Sequence, residues 1–398
     1  MNFFRILAIC LITICTAAAW AVLGTALKFR SANFSTQMGG EVTEVWGPAM
    51  EQKHPAAFLF SSTGGGKKIE IKPSRSVANV ELQYEPKKRG LFWHRTYSVN
   101  FTGDYEIANP TPIEQTIYIQ FPMPTKSASY TNFSFTIGGS APRQTAPTDG
   151  MITEAVQVPA KGKVPLHIAY VSRGMDAWRY VFPDASRVQN FKLAMTTNFD
   201  EINFPQGTGS PTARSEAAHQ FNWDYPDVLS APAIGMDMPK VLNAGPVAAR
   251  ISFFAPVSLV FFFAVLLIIG LMRGANLHPM NYFFLAAGCF AFQILFAYLV
   301  DLLPIHLSFG IASAVSLVLV CGYVGLVGGR KLFWVALPAQ FAYMVLFSYS
   351  FFFDGLTGLT VTIGAIITLA LLMILTAKMD WEKIFQCTGS SLLKKATT

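Results

Sequence analysis

Apolar positions in this chain fall into two blocks separated by one long polar interval. The first block runs from Ile6 to Leu27. About 220 mostly polar residues follow, and a second block then fills nearly everything from Ile251 to Thr376. A helix needs roughly 20 consecutive apolar residues to cross about 30 Å of hydrocarbon. The pattern therefore predicts one N-terminal transmembrane helix, a large extramembrane domain, and a C-terminal cluster of helices.

The second block divides at its charged and Gly-rich breaks into five spans. They run from about Ile251 to Met272, Met280 to Val300, Leu307 to Val327, Leu332 to Phe353 and Leu356 to Ala377. The first block has a basic start at Arg5 and small residues at Ala17, Ala18 and Ala19, as a signal peptide would. Its apolar run continues through Val22 and Leu27, which is the length of an uncleaved anchor.

Within the polar interval the pattern changes to period two. Lys68–Lys72, Val77–Gln83, Thr96–Phe101 and Gln115–Phe121 alternate polar with Val, Ile, Tyr or Phe. Ser134–Ile137, Glu154–Val158, Val164–Tyr170 and Phe191–Thr197 are further strand candidates. Glu85–Gly90, Thr102–Asp104 and Asn109–Pro112 read as turns, and Pro205–Arg214 as a flexible loop. Many short strands between turns predict an antiparallel β-sandwich-like domain. The predicted class is thus an α + β membrane protein with six transmembrane helices. Its parts are an anchor at 1–27, a β-rich domain at 28–249, a five-helix bundle at 250–378 and a tail at 379–398.

Charge sharpens this layout. Between Ile251 and Ala377 the only charged residues are Arg273, Asp301, Arg330, Lys331 and Asp354, too few for the surface of a soluble helical domain. Alternate loops carry Arg5, Arg273, Arg330 with Lys331, and Lys378 with Lys383. The opposite loops carry Asp301 with His306, and Asp354. Basic loops stay on the cytoplasmic side, so both termini are expected inside and the β domain outside, in the periplasm. Lys28, Arg30 and Arg250 lie on the outer side and oppose this assignment weakly. The β domain carries 21 basic and 19 acidic residues, which gives no basic face for nucleic acid.

The five cysteines, Cys10, Cys15, Cys289, Cys321 and Cys387, all lie outside the β domain, which must fold on its own core. No C-x-x-C pair is present. Gly64-Gly65-Gly66-Lys67-Lys68 lacks the first Gly and the Ser or Thr of a phosphate loop, and reads as a plain loop. His54, His94, His167 and His219 share no ligand spacing. Asn33, Asn100 and Asn132 begin N-x-S/T triplets, which matter only in a eukaryotic host. Neither a cofactor nor a metal is expected, and no catalytic residue.

The remaining candidates are polar or aromatic. Asp301 and His306 form a candidate site at the outer rim, and Gln293 and Gln340 are candidate polar groups deeper in the membrane. Trp93, Trp178 and Trp223 are candidate aromatics for a ligand groove on the β domain.

Four segments carry a family resemblance. Ala248–Ser258 leads into the second span, and Leu277-His278-Pro279-Met280-Asn281-Tyr282 opens the third. Ala297–Asp301 closes that span, and Lys378-Met379-Asp380-Trp381 follows the last. Together with Trp46-Gly47-Pro48, these resemble the CreD-type inner-membrane proteins. The resemblance implies a bacterial envelope protein linked to stress-responsive regulation, and it brings no catalytic residues. The expected function is non-enzymatic: envelope maintenance or stress response, with the periplasmic domain meeting an envelope protein or a small-molecule ligand. The alternative is a transporter or permease component built from the C-terminal helices. The lipid bilayer is the one partner the composition demands.

Overall fold

A computed structural model describes residues 3–61, 66–89, 92–141, 146–183, 187–215, 219–272, 277–353, 355 and 357–377. Gly64, Gly65, Arg273, Asp354, Lys378, Asp380, Trp381, Lys383 and Cys387 lie outside the described residues. The chain divides into two compact units, Met1–Ser35 with Leu242–Thr398, and Thr36–Val241.

The first unit is helical. Helix α1 spans Phe3–Trp46, well past the apolar stretch that ends at Leu27. No proline interrupts it, and Gly47 ends it. Helix α2 is Ala244–Met272 and α3 is Pro279–Leu302. The start of α3 is fixed by its sequence: His278 accepts a hydrogen bond from the Met280 N–H at 3.2 Å, and Pro279 occupies the first turn. Helix α4, Ile305–Gln340, bends at Gly329, where φ is 73° and ψ is 175°. A π-helical turn at Phe341–Leu346, a single α-turn (α5, Phe347–Tyr349) and a 3-10 turn at Ser350–Phe352 continue the run. Helix α6 is Thr357–Thr376.

Among the described residues, four helical runs are long and apolar enough to cross a membrane: Phe4–Asn33, Ala244–Gly270, Pro279–Leu302 and Ile305–Phe352. The last has 48 residues. If straight it would be about 72 Å long, more than twice a hydrocarbon core. Gly329 divides it where the Gly-Gly-Arg-Lys break predicts a loop. Gly358–Ile374 is a shorter apolar helix.

The second unit is made of strands. In chain order they are β1 Met50–Lys53, β2 Ala56–Phe60, β3 Lys68–Ile71, β4 Arg75–Tyr84, β5 Lys87–Arg89, β6 Phe92–His94, β7 Thr96–Ala108 and β8 Gln115–Pro122. They continue as β9 Tyr130–Ile137, β10 Met151–Val158, β11 Lys163–Met175, β12 Ala177–Val181, β13 Arg187–Thr197, β14 Ala213–Ser215, β15 Gln220–Leu229 and β16 Ile234–Asp237. A seven-stranded sheet has the order β14-β15-β13-β4-β7-β11-β9. A four-stranded sheet has the order β10-β8-β2-β3, and a three-stranded one β1-β12-β16.

One hydrophobic cluster joins these sheets. Leu82, Phe101 and Ile168 of the large sheet, Leu59, Ile117 and Phe121 of the second, and Trp178 and Met236 of the third all belong to it. The alternation read from the sequence is the inward register of these strands: β7 and β11 bury nearly every second residue.

Three expectations are corrected. The sheets are mixed rather than purely antiparallel, because β13 pairs with β4 and β1 with β12 in parallel. Thr102-Gly103-Asp104 is no turn but the middle of β7, with Gly103 opposite both Ala78 and Ile168. A Cβ at 103 would come within 2.7 Å of the Tyr105 ring, so this glycine makes room for an aromatic side chain. The Glu85–Gly90 cluster contains β5, which forms a short hairpin with β6.

Candidate functional site

In the helical unit the polar candidates do not converge. The Arg30 guanidinium, on α1, donates to the Asp301 carboxylate near the end of α3. His306 opens α4 and stacks on Phe352 at 5.3 Å, with Tyr349 at 6.2 Å. No hydrogen bond or ion pair joins Asp301 to His306 among the described residues. Gln340 is fully buried; its amide N–H donates to Ser316 Oγ at 3.2 Å and its Oε1 lies 3.8 Å from Cys289 Sγ. Gln293 sits one helical turn beyond Cys289. It too is buried, yet neither atom of its amide has a hydrogen-bond partner. Phe292, Phe296 and Phe309 pack around this level with ring centroids about 6 Å apart. Gln293 and Gln340 are therefore separate polar points in an apolar interior, while Asp301 and His306 lie at its exposed edge.

Two of the three tryptophans are corrected from groove to core. Trp178 has no exposed surface, because β12 is the central strand of its sheet and carries this ring inward. Trp223 is 1% exposed and donates its indole N–H to the Gly209 carbonyl at 2.8 Å. Trp93 is on the short hairpin and 43% exposed. No ligand groove is formed by the three.

The described residues that make a site lie elsewhere, around His54. This residue follows β1, and its backbone N–H donates to Val181 O at 2.9 Å, extending the parallel β1–β12 pairing by one bond. Its ring is enclosed by Tyr105, Phe182, Tyr180 and Phe191, with centroids 5.6–6.0 Å away. Its Nδ1 lies 2.7 Å from Tyr180 Oη, which lies 3.0 Å from Tyr105 Oη. His54 also lines a cavity of about 240 Å³ bounded by β2, β3 and the start of β13.

The hydroxyl chain sets the tautomer. If Tyr105 donates to Tyr180, and Tyr180 to Nδ1, every donor is used and the imidazole hydrogen sits on Nε2. Either alternative, with Nδ1–H donating, leaves one buried tyrosine hydrogen without an acceptor, at a cost of about 1–3 kcal/mol. His54 is thus a neutral imidazole whose Nε2–H remains for the cavity.

Burial lowers the His54 pKa from 6.5 to about 3. Between those values the unfolded chain binds a proton that the folded chain does not, so stability falls as pH drops from about 6.5 towards 3. The expected loss from this group between pH 7 and pH 4.5 is about 2.5 kcal/mol. It is measured as the difference in urea midpoint between pH 7 and pH 4.5. A His54→Phe variant should show a smaller difference, and an equal one would refute the assignment.

Sequence reasoning placed His54 among dispersed surface or strand histidines. Its cage comes from residues more than 50 to 130 positions away, and no local signal marks it. Two of the other three differ from it: His167 pairs with Asp104 at 2.7 Å and His219 with Asp200 at 3.5 Å, both with exposed side chains.

Trp46-Gly47-Pro48 also acquires a structural account. Arg173 and Lys87 place their cations 4.8 and 5.3 Å from the Trp46 ring. Gly47 ends α1 by donating its N–H to Thr43 O at 2.9 Å, and Pro48 O accepts from Met175 N–H at 3.3 Å.

Residues 214–382 match the family model of the inner membrane protein CreD. The CreD resemblance is thereby shown over the last strands of the β unit and nearly all the C-terminal helices. With its long apolar helices, this match supports a membrane protein. No curated protein sequence matches the chain. Among solved structures it is similar to a Legionella pneumophila protein provisionally described as a nutrient binding protein. The two share 14% identity over 55% of this chain and 76% of the other, with a TM-score of 0.33. A likeness this low bears on neither fold nor function.

Proposed function

We propose that this CreD-type protein is a non-enzymatic component of the bacterial inner membrane that acts in envelope maintenance or stress response. In this reading six helices cross the membrane, both termini are cytoplasmic, and a periplasmic β-sandwich meets a ligand or partner from the envelope.

One pair of contacts carries the topology. At one end of the helical unit Arg5, before the first apolar stretch, donates to the carbonyl of Leu277, just before α3. At the other end Arg30 pairs with Asp301. Helices α1 and α3 therefore run in the same direction, as first and third crossings must. The break at Gly329, followed by Arg330 and Lys331, supports counting Ile305–Phe352 as two crossings.

The functional part is tested by deleting the gene and measuring permeability to a large hydrophilic antibiotic under envelope stress. Increased permeability, restored by the full chain, is expected; unchanged permeability would overturn the reading. Cysteines introduced at Ser210 and Lys331 should react with an impermeant maleimide in intact spheroplasts at 210 only. Labelling at 331 would refute the orientation.

A second reading, a transporter or permease component, draws on one observation: the unpartnered Gln293 amide within the helices. In hydrocarbon such a group is costly unless it serves a passing solute or water. A Gln293→Leu variant separates the readings. A carrier loses activity, whereas a scaffold keeps it and gains thermal stability.

A further inference from the structure

We propose that the cavity beside His54 binds a small organic anion, an apolar body that carries one carboxylate. The inference rests on the reading of the β domain as the part that meets ligand, and adds to it the place and the chemistry.

Four observations converge. The first is the donor. Nδ1 of His54 is engaged by Tyr180, and Nε2 makes no hydrogen bond among the described residues. The aromatic cage fixes the ring plane, so the Nε2–H is held in one direction. A donor held this way, open to the cavity, favours an oxygen acceptor.

The second is the charge at the rim. Among the described residues, Lys68, Lys72 and Arg187 line the cavity against a single carboxylate, Glu70. Arg187 is already committed, since its Nε donates to Asp227 at 2.7 Å. Lys68 rests over the Phe58 ring at 4.1 Å. Lys72 is exposed and has no ion pair among the described residues. The rim thus keeps positive charge available, and one oxyanion can take the Nε2–H and a lysine together.

The third is the wall. Ala57, Phe58, Ile71 and Val188 line the cavity and are each no more than 8% exposed. They offer an apolar surface next to the donor, the usual makeup of a small-molecule pocket. The fourth is size. At ~30 Å³ per water, 240 Å³ equals the liquid volume of about eight waters. That suits a ligand of roughly ten non-hydrogen atoms and excludes a folded partner.

A cation fits poorly, because Nε2–H and two lysines oppose it and, among the described lining residues, only Glu70 favours it. A doubly charged phosphate brings more charge and more acceptor oxygens than one fixed N–H and one unpaired lysine can satisfy.

The test uses the full chain in detergent, labelled at histidine with 15N, at neutral pH. Three probes of the same shape are titrated: benzoate, benzyl alcohol and benzylamine. Benzoate should move the His54 ring signals saturably at millimolar concentrations, benzyl alcohol should bind about tenfold more weakly, and benzylamine should leave them in place. Lys72→Gln, an exposed change that keeps the fold, should weaken benzoate about fivefold or more. Tyr180→Phe should shift the tautomer signature before any ligand is added. Equal effects of benzoate and benzylamine would overturn the proposal. So would the absence of a saturable His54 response below about 10 mM, or unaltered affinity in Lys72→Gln. These outcomes are independent of the permeability assay. Failure here leaves the envelope role standing, and failure there leaves the binding site standing.

Discussion

Trp178→Ala will destabilise the β unit by about 3–5 kcal/mol, the range for emptying a fully buried tryptophan site. The ring has no exposed surface and lies 6.4 Å from both Phe101 and Tyr180 between centroids. Phe101 belongs to the seven-stranded sheet and Tyr180 to the three-stranded one, so the indole joins two layers of one core. Its neighbours along the register are Met50 on β1 and Met236 on β16, and both are themselves buried. Neither backbone can move in to fill the space without breaking strand pairing. At roughly 2–4 °C per kcal/mol for a domain of this size, the thermal midpoint should fall by about 6–20 °C. The measurement is the β-sheet circular dichroism transition of the full chain in detergent. Trp178→Phe, which keeps much of the buried area, should recover a substantial part of the loss. A midpoint within about 3 °C of the parent for the alanine variant would show that the ring is not a core element.

Gly47→Ala is expected to cost about 2–4 kcal/mol, for two separate reasons. The first is conformation. Gly47 has φ = 84°, and its N–H closes the last turn of α1 on Thr43 O. A residue with a side chain is strained there. The second is space: a Cβ at this position would lie 2.8 Å from the carbonyl oxygen of Arg173, in the strand β11. Backbone on both sides leaves no flexible atom to yield. The shift would also disturb the Trp46 ring, whose cationic neighbours are Arg173 and Lys87. Urea denaturation should show a lower midpoint, with faster proteolysis between Trp46 and Met50. Pro48→Ala is the control, since it alters neither φ at 47 nor the contact with Arg173. Equal sensitivity in the two variants would refute the steric account.

The strands show how far local pattern reaches. Residues 77–83 and 115–121 alternate cleanly and lie in strands with the expected inward face, whereas in 68–71 Ile71 is buried but Ile69 is 42% exposed. β1, β2, β12 and β16 escaped notice. Met50–Lys53 and Ile234–Asp237 are four residues each, too short for a period to stand out, and Ala56–Phe60 is apolar throughout. Gly103 misled in the other direction. Gly beside Asp is a turn signal when read alone, yet here it opposes Ala78 and Ile168 in the middle of a sheet.

The candidate residues divide in the same way. Asp301 was legible as a rim residue because it follows an apolar run, but its partner Arg30 lies 271 positions away. Gln340 was legible as a buried amide; that it bonds Ser316 while Gln293 bonds nothing depends on how α3 and α4 pack. Aromatic residues carry the least information of all. Trp93 and Trp178 are the same side chain in similar short strands, and only the neighbouring strands leave one exposed and bury the other.

What this sequence determined by itself is its solvent. Runs of some twenty apolar residues select hydrocarbon, and alternating short runs select a half-buried sheet, because both preferences are summed over neighbours in the chain. The charges at the ends of the apolar runs carry the orientation argument for the same reason. The tertiary structure decided the rest: the parallel pairings of β13 with β4 and β1 with β12, the burial of Trp178 and Trp223, and the cage around His54. Each of these is an interaction between residues distant in sequence. Its energy depends on distance and exclusion of water, and neither exists until the sheets have closed on one another.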